Sequence, residues 1–302
     1  MTLRPIIVGC GSAMLMAGAA PSPGRVAFAN EGAVAGAGTA PAAQSLSKLS
    51  IWDDGLAEMC YYRAVDRIHG RERAYIRVHL VNRQWMDRDS GVKADPPDGD
   101  AVPVFKLNIA EEIPTENYNY RYLTTAFLVR PDLDPFKLVV SSQEWCGATF
   151  KHLRWTDAGV DVQSFSYFGG EGDRTWRLTG RPVPYEALVL IARDVAAAGQ
   201  PRDLDILKPL RSNHQVESVP IRARLVPQAV SRMVVSDRQY RAVRVDLEWD
   251  GPPTGFVVEA EPPFQLVRFR MGDLRGDLTH VERRAYWDRS WPSGFHKPDE
   301  AP

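Results

Sequence analysis

The sequence predicts a mainly β protein built on one large, curled antiparallel sheet, with a single helix near its middle. Three observations carry this. Apolar and polar residues alternate with period two in segment after segment from residue 51 onward. The joins between those segments are short, which suits antiparallel neighbours rather than parallel crossovers. The chain of 302 residues carries eight Trp and ten Tyr, side chains that fit strands well.

The elements follow in order. Residues 1–29 hold one early Arg, then an apolar and small-residue run from Ile6 to Ala20, with small-residue cleavage sites within AGAA or after Ala27-Phe28-Ala29. This is the pattern of a secretory signal, too short and Gly-broken to stay in a membrane. Ile7-Val8-Gly9-Cys10 also fits a lipobox, so a lipid anchor on Cys10 is the alternative to soluble export to the periplasm or exterior. Residues 30–50, rich in Gly, Ala and Ser, read as a flexible tether. The folded part is expected over 51–290, as one domain or as two β halves dividing near 200, with 291–302 a tail.

A first hairpin runs from Leu56 to Leu80. In its second arm Ala74, Ile76, Val78 and Leu80 share one face, and Arg77 and His79 take the other. Val104 to Leu107 follows a Pro/Asp/Gly loop. Over 117–129, Tyr118, Tyr120, Tyr122, Thr124, Ala126 and Leu128 fall on one face. Strands at 136–143, 150–155, 159–168 and 174–178 come next. PYEALVLIARDVAAAG, residues 184–199, is the helix: Pro184 opens it, Leu188, Ile191 and Val195 form its stripe, and Gly199 closes it. Residues 201–218 read as irregular. Strands resume at Ile221, and RAVRVDLEW (241–249) alternates most clearly, with Val243, Val245, Leu247 and Trp249 facing in. Ten to twelve strands of this kind must curl, because a flat sheet so wide exposes its edges. The expected architecture is a barrel or half-barrel, lipocalin-like or lipoprotein-carrier-like, with the helix lying across it.

SSQEWCG (141–147) and QSFSYFGGEGD (163–173), with Trp52, Glu58 and Phe105-Lys106-Leu107-Asn108, resemble an uncharacterised family of exported bacterial proteins. Some of its members carry the label "septum formation inhibitor Maf". Genuine Maf proteins are cytoplasmic α/β nucleotide pyrophosphatases, whereas this chain has a signal-like start, β alternation and no Ser-Pro-Arg-Arg near its beginning. Its C-terminal part, PPFQLVRFRMGDLRGDLTHVERR, is similar to β-barrel-like domains of unknown function in other secreted proteins. The resemblance implies fold and compartment and supplies no activity.

The site candidates are few. After removal of Cys10 the chain keeps Cys60 and Cys146, and export makes a disulfide between them the expectation. The alternative is a catalytic thiol at Cys146 with His152 or His79 as base and Glu144 nearby, or a Glu58/Glu144 carboxylate pair as in glycoside hydrolysis. No papain-like or Gly-x-Ser-x-Gly signature surrounds these residues. Tyr118, Tyr120, Tyr122 and Trp145, with Trp155, can line a ligand cavity or pack as core. Arg63, Lys106 and Glu144 can meet inside a barrel as an ionic cluster that orients a polar ligand. The six His are scattered and no metal-ligand spacing occurs, so no metal and no cofactor are expected. A net charge of −1, or −3 without Arg4 and Arg25, argues against nucleic acid as a partner. The function these features favour is an exported envelope protein that binds a hydrophobic or amphipathic molecule, or an envelope component. A secreted hydrolase and a purely structural module are the alternatives.

Overall fold

The computed structural model describes residues 44–288 except 96 and 98. The signal-like segment, Cys10, most of the tether and the 291–302 tail therefore lie outside the described residues. Residues 44–50, expected in the tether, belong to the fold. Leu46 and Trp52 are fully buried in two short 3-10 turns, and the Trp52 indole N–H donates to the Leu46 carbonyl at 2.9 Å.

Strands occupy 58% of the structure. Eight of them run as one meander: β1 (Ala57–Ile68), β2 (Arg71–Asp87), β3 (Ala101–Ile113), β4 (Tyr120–Val129), β5 (Asp134–Glu144), β6 (Gly147–Thr156), β7 (Gly159–Ser166) and β8 (Arg174–Leu178). The β1–β2 join shortens to His69-Gly70, both at positive φ, as a two-residue hairpin turn requires. After helix α1 (Leu188–Ala198) come β9 (Arg202–Ile206), β10 (Ile221–Pro227), β11 (Ser231–Val235), β12 (Arg238–Trp249), β13 (Thr254–Glu259), β14 (Leu266–Met271) and β15 (Leu274–Arg284). β15 returns to pair with β1, so one sheet runs β8 through β1, then β15 to β12, β10 and β9, with β11 beside β12. It is not closed: β8 and β9 are its ends. Past β8, Val183 makes one parallel bridge to Ile206 of β9.

The helix expected over 184–199 forms as a 3-10 turn at Tyr185–Ala187 followed by the α-helix from Leu188. Gly199 ends it in the left-handed conformation, its N–H bonded to the Val195 carbonyl. It packs on β10, β12, β13 and β14, and Leu188 to Arg193 and Val195 to Ala197 are all buried. A helix buried on nearly every side has to be enclosed, and here it fills the hollow of the sheet. One core cluster joins residues from Leu46 to Leu278, so strands before and after residue 200 share an interior.

On β2 the faces take an unusual assignment. Arg77 and His79 point into the hollow and are buried. Val78 and Leu80 pack on the other face, in a separate cluster with Met59 and Tyr61 that Tyr286 covers.

Candidate functional site

The register explains what collects on the inner face. Tyr62 of β1 pairs with Arg77, Arg77 with Glu111 of β3, Glu111 with Tyr122, Tyr122 with Ser142, Ser142 with Thr149 and Thr149 with Ser166. Cross-strand partners point to the same side, so this row is a polar belt across seven strands. The next row inward adds Thr124, Lys151 and Ser164.

Residues 207–218 lie over this belt as a strap. Arg211 donates from Nε to Glu111 Oε2 at 2.7 Å and pairs with Asp66 at 2.8 Å. Arg77 holds the other oxygen of Glu111 at 2.8 Å, and the Tyr75 hydroxyl donates to that same oxygen at 2.6 Å. Burial alone would push the Glu111 carboxyl up, yet the two guanidinium groups and the Tyr75 hydroxyl hold it below its ordinary value. Asn213 donates to Glu144 at 2.7 Å, and Lys151 donates to the Ser212 carbonyl at 2.7 Å. Burial lowers the Lys151 ammonium to about 8, against 10.5 in water. Glu186, at the entry of the helix, accepts the Leu210 and Arg211 N–H groups on one oxygen, and burial raises its pKa. Thr124 Oγ1, Ser142 Oγ, Ser164 Oγ and Glu144 Oε2 are buried without a hydrogen-bond partner.

Where the belt meets the rim, an aromatic ladder climbs out of the hollow. Tyr122 stacks on Tyr120 at 6.3 Å between ring centroids, Tyr120 on Tyr118 at 5.7 Å, and Tyr118 on Trp145 at 5.9 Å with 23° between planes. Tyr122 and Tyr120 are buried, Tyr118 is half-buried and Trp145 is 84% exposed. The Tyr120 hydroxyl shares a hydrogen bond with His69 at 3.1 Å. Trp145 sits in the tight β5–β6 turn, where Glu144 pairs with Gly147. Gly147 is required there: its φ is +154°, and a Cβ would stand 2.2 Å from the Tyr167 ring. Asn117, Asn119, Arg121, Gln143 and Glu144 surround Tyr118 and Trp145 in a shallow site of about 210 Å³.

Several expectations are corrected. Cys60 and Cys146 are both free. Cys60 is buried on β1, where its Sγ accepts from Gln265 at 2.9 Å, while Cys146 is exposed beside the Tyr118 hydroxyl. Three strands separate β1 from β5, about 19 Å of sheet at ~4.8 Å per strand, beyond the ~7 Å a disulfide spans. His152 is five residues up β6 from Gly147, about 17 Å at ~3.4 Å per residue, and its Nδ1 faces Gln163, so it is no base for Cys146. His79 is buried on β2 and bonded to Arg77. Glu58 is committed to a buried pair with Arg193 rather than to Glu144. Arg63 and Lys106 fail to join Glu144 because strand parity turns them outward, while their neighbours Tyr62 and Leu107 face in. Trp155 is core, its indole N–H on the Pro182 carbonyl.

The charges that do enter the hollow include Glu58 with Arg193, Arg77 with Glu111, Arg211 and Asp66, and Lys151 and Glu186 against the strap. For those on strands the only sequence signal is a charged residue at an inward-parity position, as with Glu111 between Ile109 and Ile113. Among the described residues no three of His, Cys, Asp and Glu converge as metal ligands, and no helix is long and apolar enough to cross a membrane. Enclosed spaces beside Cys60 and beside Lys151 are about 10 Å³ each, far below the roughly 300 Å³ of a small-molecule pocket.

No protein-family model and no curated protein matches the chain. Among solved structures it is similar to a β-barrel-like protein, a domain of unknown function (DUF1849), from Brucella abortus. The two are 12% identical with a TM-score of 0.45, over 75% of this chain and 97% of that one.

Proposed function

We propose that this chain is an exported, non-catalytic envelope protein, of the family its SQEWCG block resembles, that holds a saccharide-bearing envelope component at the Tyr118–Trp145 mouth. The observation that carries the reading is Trp145. An indole 84% exposed contributes nothing to the core, yet it stands stacked on Tyr118 at the top of a ladder that fixes its orientation. A pyranose ring offers an apolar C–H face and a polar edge. The exposed indole suits the first, and Asn117, Asn119, Gln143 and Glu144 around it suit the hydroxyls of the second. The ligand is amphipathic in this sense rather than a lipid swallowed whole, because helix, core and strap occupy the hollow. The signal-like residues 1–29 support export.

Calorimetric titration with oligosaccharides of neutral hexose and N-acetylhexosamine units tests the proposal. Trp145→Ala is expected to weaken binding about 30-fold, the effect of removing a contact worth about 2 kcal/mol. Its unfolding midpoint is expected to stay unchanged. Saccharide binding that Trp145→Ala leaves intact would refute the assignment. So would binding of a fatty-acid probe, with no saccharide bound, by wild type and variant alike.

A further inference from the structure

A larger concavity, of about 640 Å³, lies apart from the mouth against β1, β14 and β15. Arg63 and Arg67 reach it from β1, Arg268 and Arg270 from β14, and Arg275 from β15. Three carboxylates share it, Glu72, Asp273 and Asp277, leaving two positive charges in excess.

The register decides which guanidinium groups are left over. Asp277 of β15 lies between Arg63 on one side and Arg268 on the other. Arg268 takes both its oxygens, at 2.6 and 2.8 Å. Arg63 is exposed, and among the described residues no carboxylate contacts it. Arg275 lies opposite Arg270 and is held by both oxygens of Glu72, at 3.0 and 3.2 Å. Among the described residues Arg270 has the Gly272 carbonyl, at 3.2 Å, and no carboxylate partner. Arg67 reaches Asp273 at 3.9 Å, too long for a strong pair. Arg63 and Arg270 flank β15, two strand spacings apart and offset by one residue pair. Their Cα atoms are thus about 12 Å apart, from ~4.8 Å per strand and ~3.4 Å per residue. Two arginine side chains span that gap when they converge on one small tetrahedral anion, and the guanidinium fork matches phosphate oxygens in pairs.

We propose that this groove binds a phosphate group, gripped by Arg63 and Arg270, with the Arg268–Asp277 and Arg275–Glu72 pairs holding its walls. The phosphate belongs either to a small phosphorylated solute or to a phospholipid headgroup. Both sources present the same oxygens, and the experiment separates them.

The full chain is titrated with inorganic pyrophosphate, and its co-sedimentation is measured with phosphatidylglycerol vesicles and with phosphatidylcholine vesicles. The Arg63→Gln/Arg270→Gln double variant is carried alongside, with Trp145→Ala as the control that leaves the groove whole. Both exchanged residues are on the outer face, so the double variant is expected to melt with the wild type. Pyrophosphate binding that weakens at least tenfold in the double variant, and also with added salt, supports the site with a soluble ligand. Binding confined to phosphatidylglycerol vesicles and lost in the double variant supports it with a headgroup ligand. Equal binding by wild type and double variant, equal binding to both vesicle types, or no binding to any probe overturns it. None of these outcomes depends on the mouth, because Trp145→Ala is expected to bind every phosphate probe normally.

Discussion

The Arg193–Glu58 pair ties the enclosed helix to β1, and its removal is the sharpest test of how the hollow is held. Arg193 donates from Nη1 to Glu58 Oε1 at 2.6 Å and from Nη2 to Oε2 at 3.2 Å, and both side chains are buried. Its Nε and Nη2 also reach the Phe264 and Pro263 carbonyls at 2.7 and 2.8 Å. Arg193→Met keeps most of the packing volume but strands the Glu58 carboxylate with the weak Cys60 S–H donor at 3.6 Å. Breaking one side of a buried ion pair costs about 3–5 kcal/mol. Two backbone carbonyls lose their donors as well, so the upper half of that range is expected. With a urea slope of about 3 kcal/mol/M, the midpoint should fall by about 1.3–1.7 M. Arg193→Met with Glu58→Leu removes the stranded charge together with its partner, and should recover about 2 kcal/mol or more as a coupling energy in the double-mutant cycle. A single variant that costs less than about 1 kcal/mol, or a double variant that is simply additive, would refute the view that this pair anchors the helix.

The strap gives three further expectations, and the β7–β8 pairing a fourth. Arg211→Met should leave Asp66 buried without its cation, lower stability by about 3 kcal/mol, and open residues 207–218 to limited proteolysis ahead of the rest of the chain. Burial places the folded Lys151 ammonium at about 8, below its unfolded 10.5. Between those values the unfolded chain holds the extra proton, so stability should rise with pH through that window, and Lys151→Met should abolish the rise. Burial pushes Glu171 up, but hydrogen bonds from Ser166, the Gln215 N–H and His214 outweigh it and hold the carboxyl at about 2. Its contribution is present above 4.5 and lost as pH falls toward 2, and acid unfolding of Glu171→Gln should begin from a lower, flatter plateau. Gly159→Ala places a Cβ 2.3 Å from the Leu178 carbonyl oxygen at φ +122°, and should cost about 2–3 kcal/mol in thermal or urea unfolding.

Much of the architecture was legible, and the parts that were not have identifiable reasons. Alternation at Tyr120–Leu128 and Val243–Leu247 revealed inward faces because those strands bury one side only, the condition under which period two is informative. The helix was legible from Pro184 and Gly199. β9 and β11 were missed: RDLDI and SRMVV are five residues each, and unlike the equally short β8, which the GGEGD connection sets off, neither follows a glycine-rich run. The Cys60–Cys146 expectation came from compartment chemistry, and no sequence rule supplies the three intervening strands that keep the thiols apart. Tyr118 and Trp145 were legible only as members of an aromatic set with Tyr120, Tyr122 and Trp155, and not as a stacked pair. Their place at the mouth depended on a turn whose geometry only Gly147 hinted at.

The deeper misreading concerns which side of a strand faces in. Arg77, Glu111 and Lys151 look like solvent-facing charges beside apolar neighbours, yet each lies in the hollow, and on β2 the apolar Val78 and Leu80 are outside. A curled sheet around a helix can bury apolar side chains only as far as the helix reaches, and α1 packs most on β10 and β12–β14, while Val189, Leu190 and Arg193 reach Tyr62, His79 and Leu107 of β1–β3. The part of the hollow toward β6 and β7 has another filler, residues 207–218, which belong to the 201–218 segment that read as irregular and lie against Lys151, Leu153 and Val162. A strap of this kind brings unpaired backbone N–H and C=O groups with it, and these have to be satisfied inside. The inward polar belt does so: Glu186 takes the Leu210 and Arg211 N–H groups, Lys151 the Ser212 carbonyl and Thr149 the Asn213 carbonyl. The charges at core parity and the patternless segment are therefore one feature, each unintelligible in the sequence without the other. Replacing belt residues by apolar ones of like size should release the strap before it unfolds the sheet. Thr149→Val with Lys151→Met should thus speed amide exchange at Ser212–His214 while leaving β5–β7 protected. Faster exchange throughout β5–β7 would mean instead that the belt holds the sheet itself together.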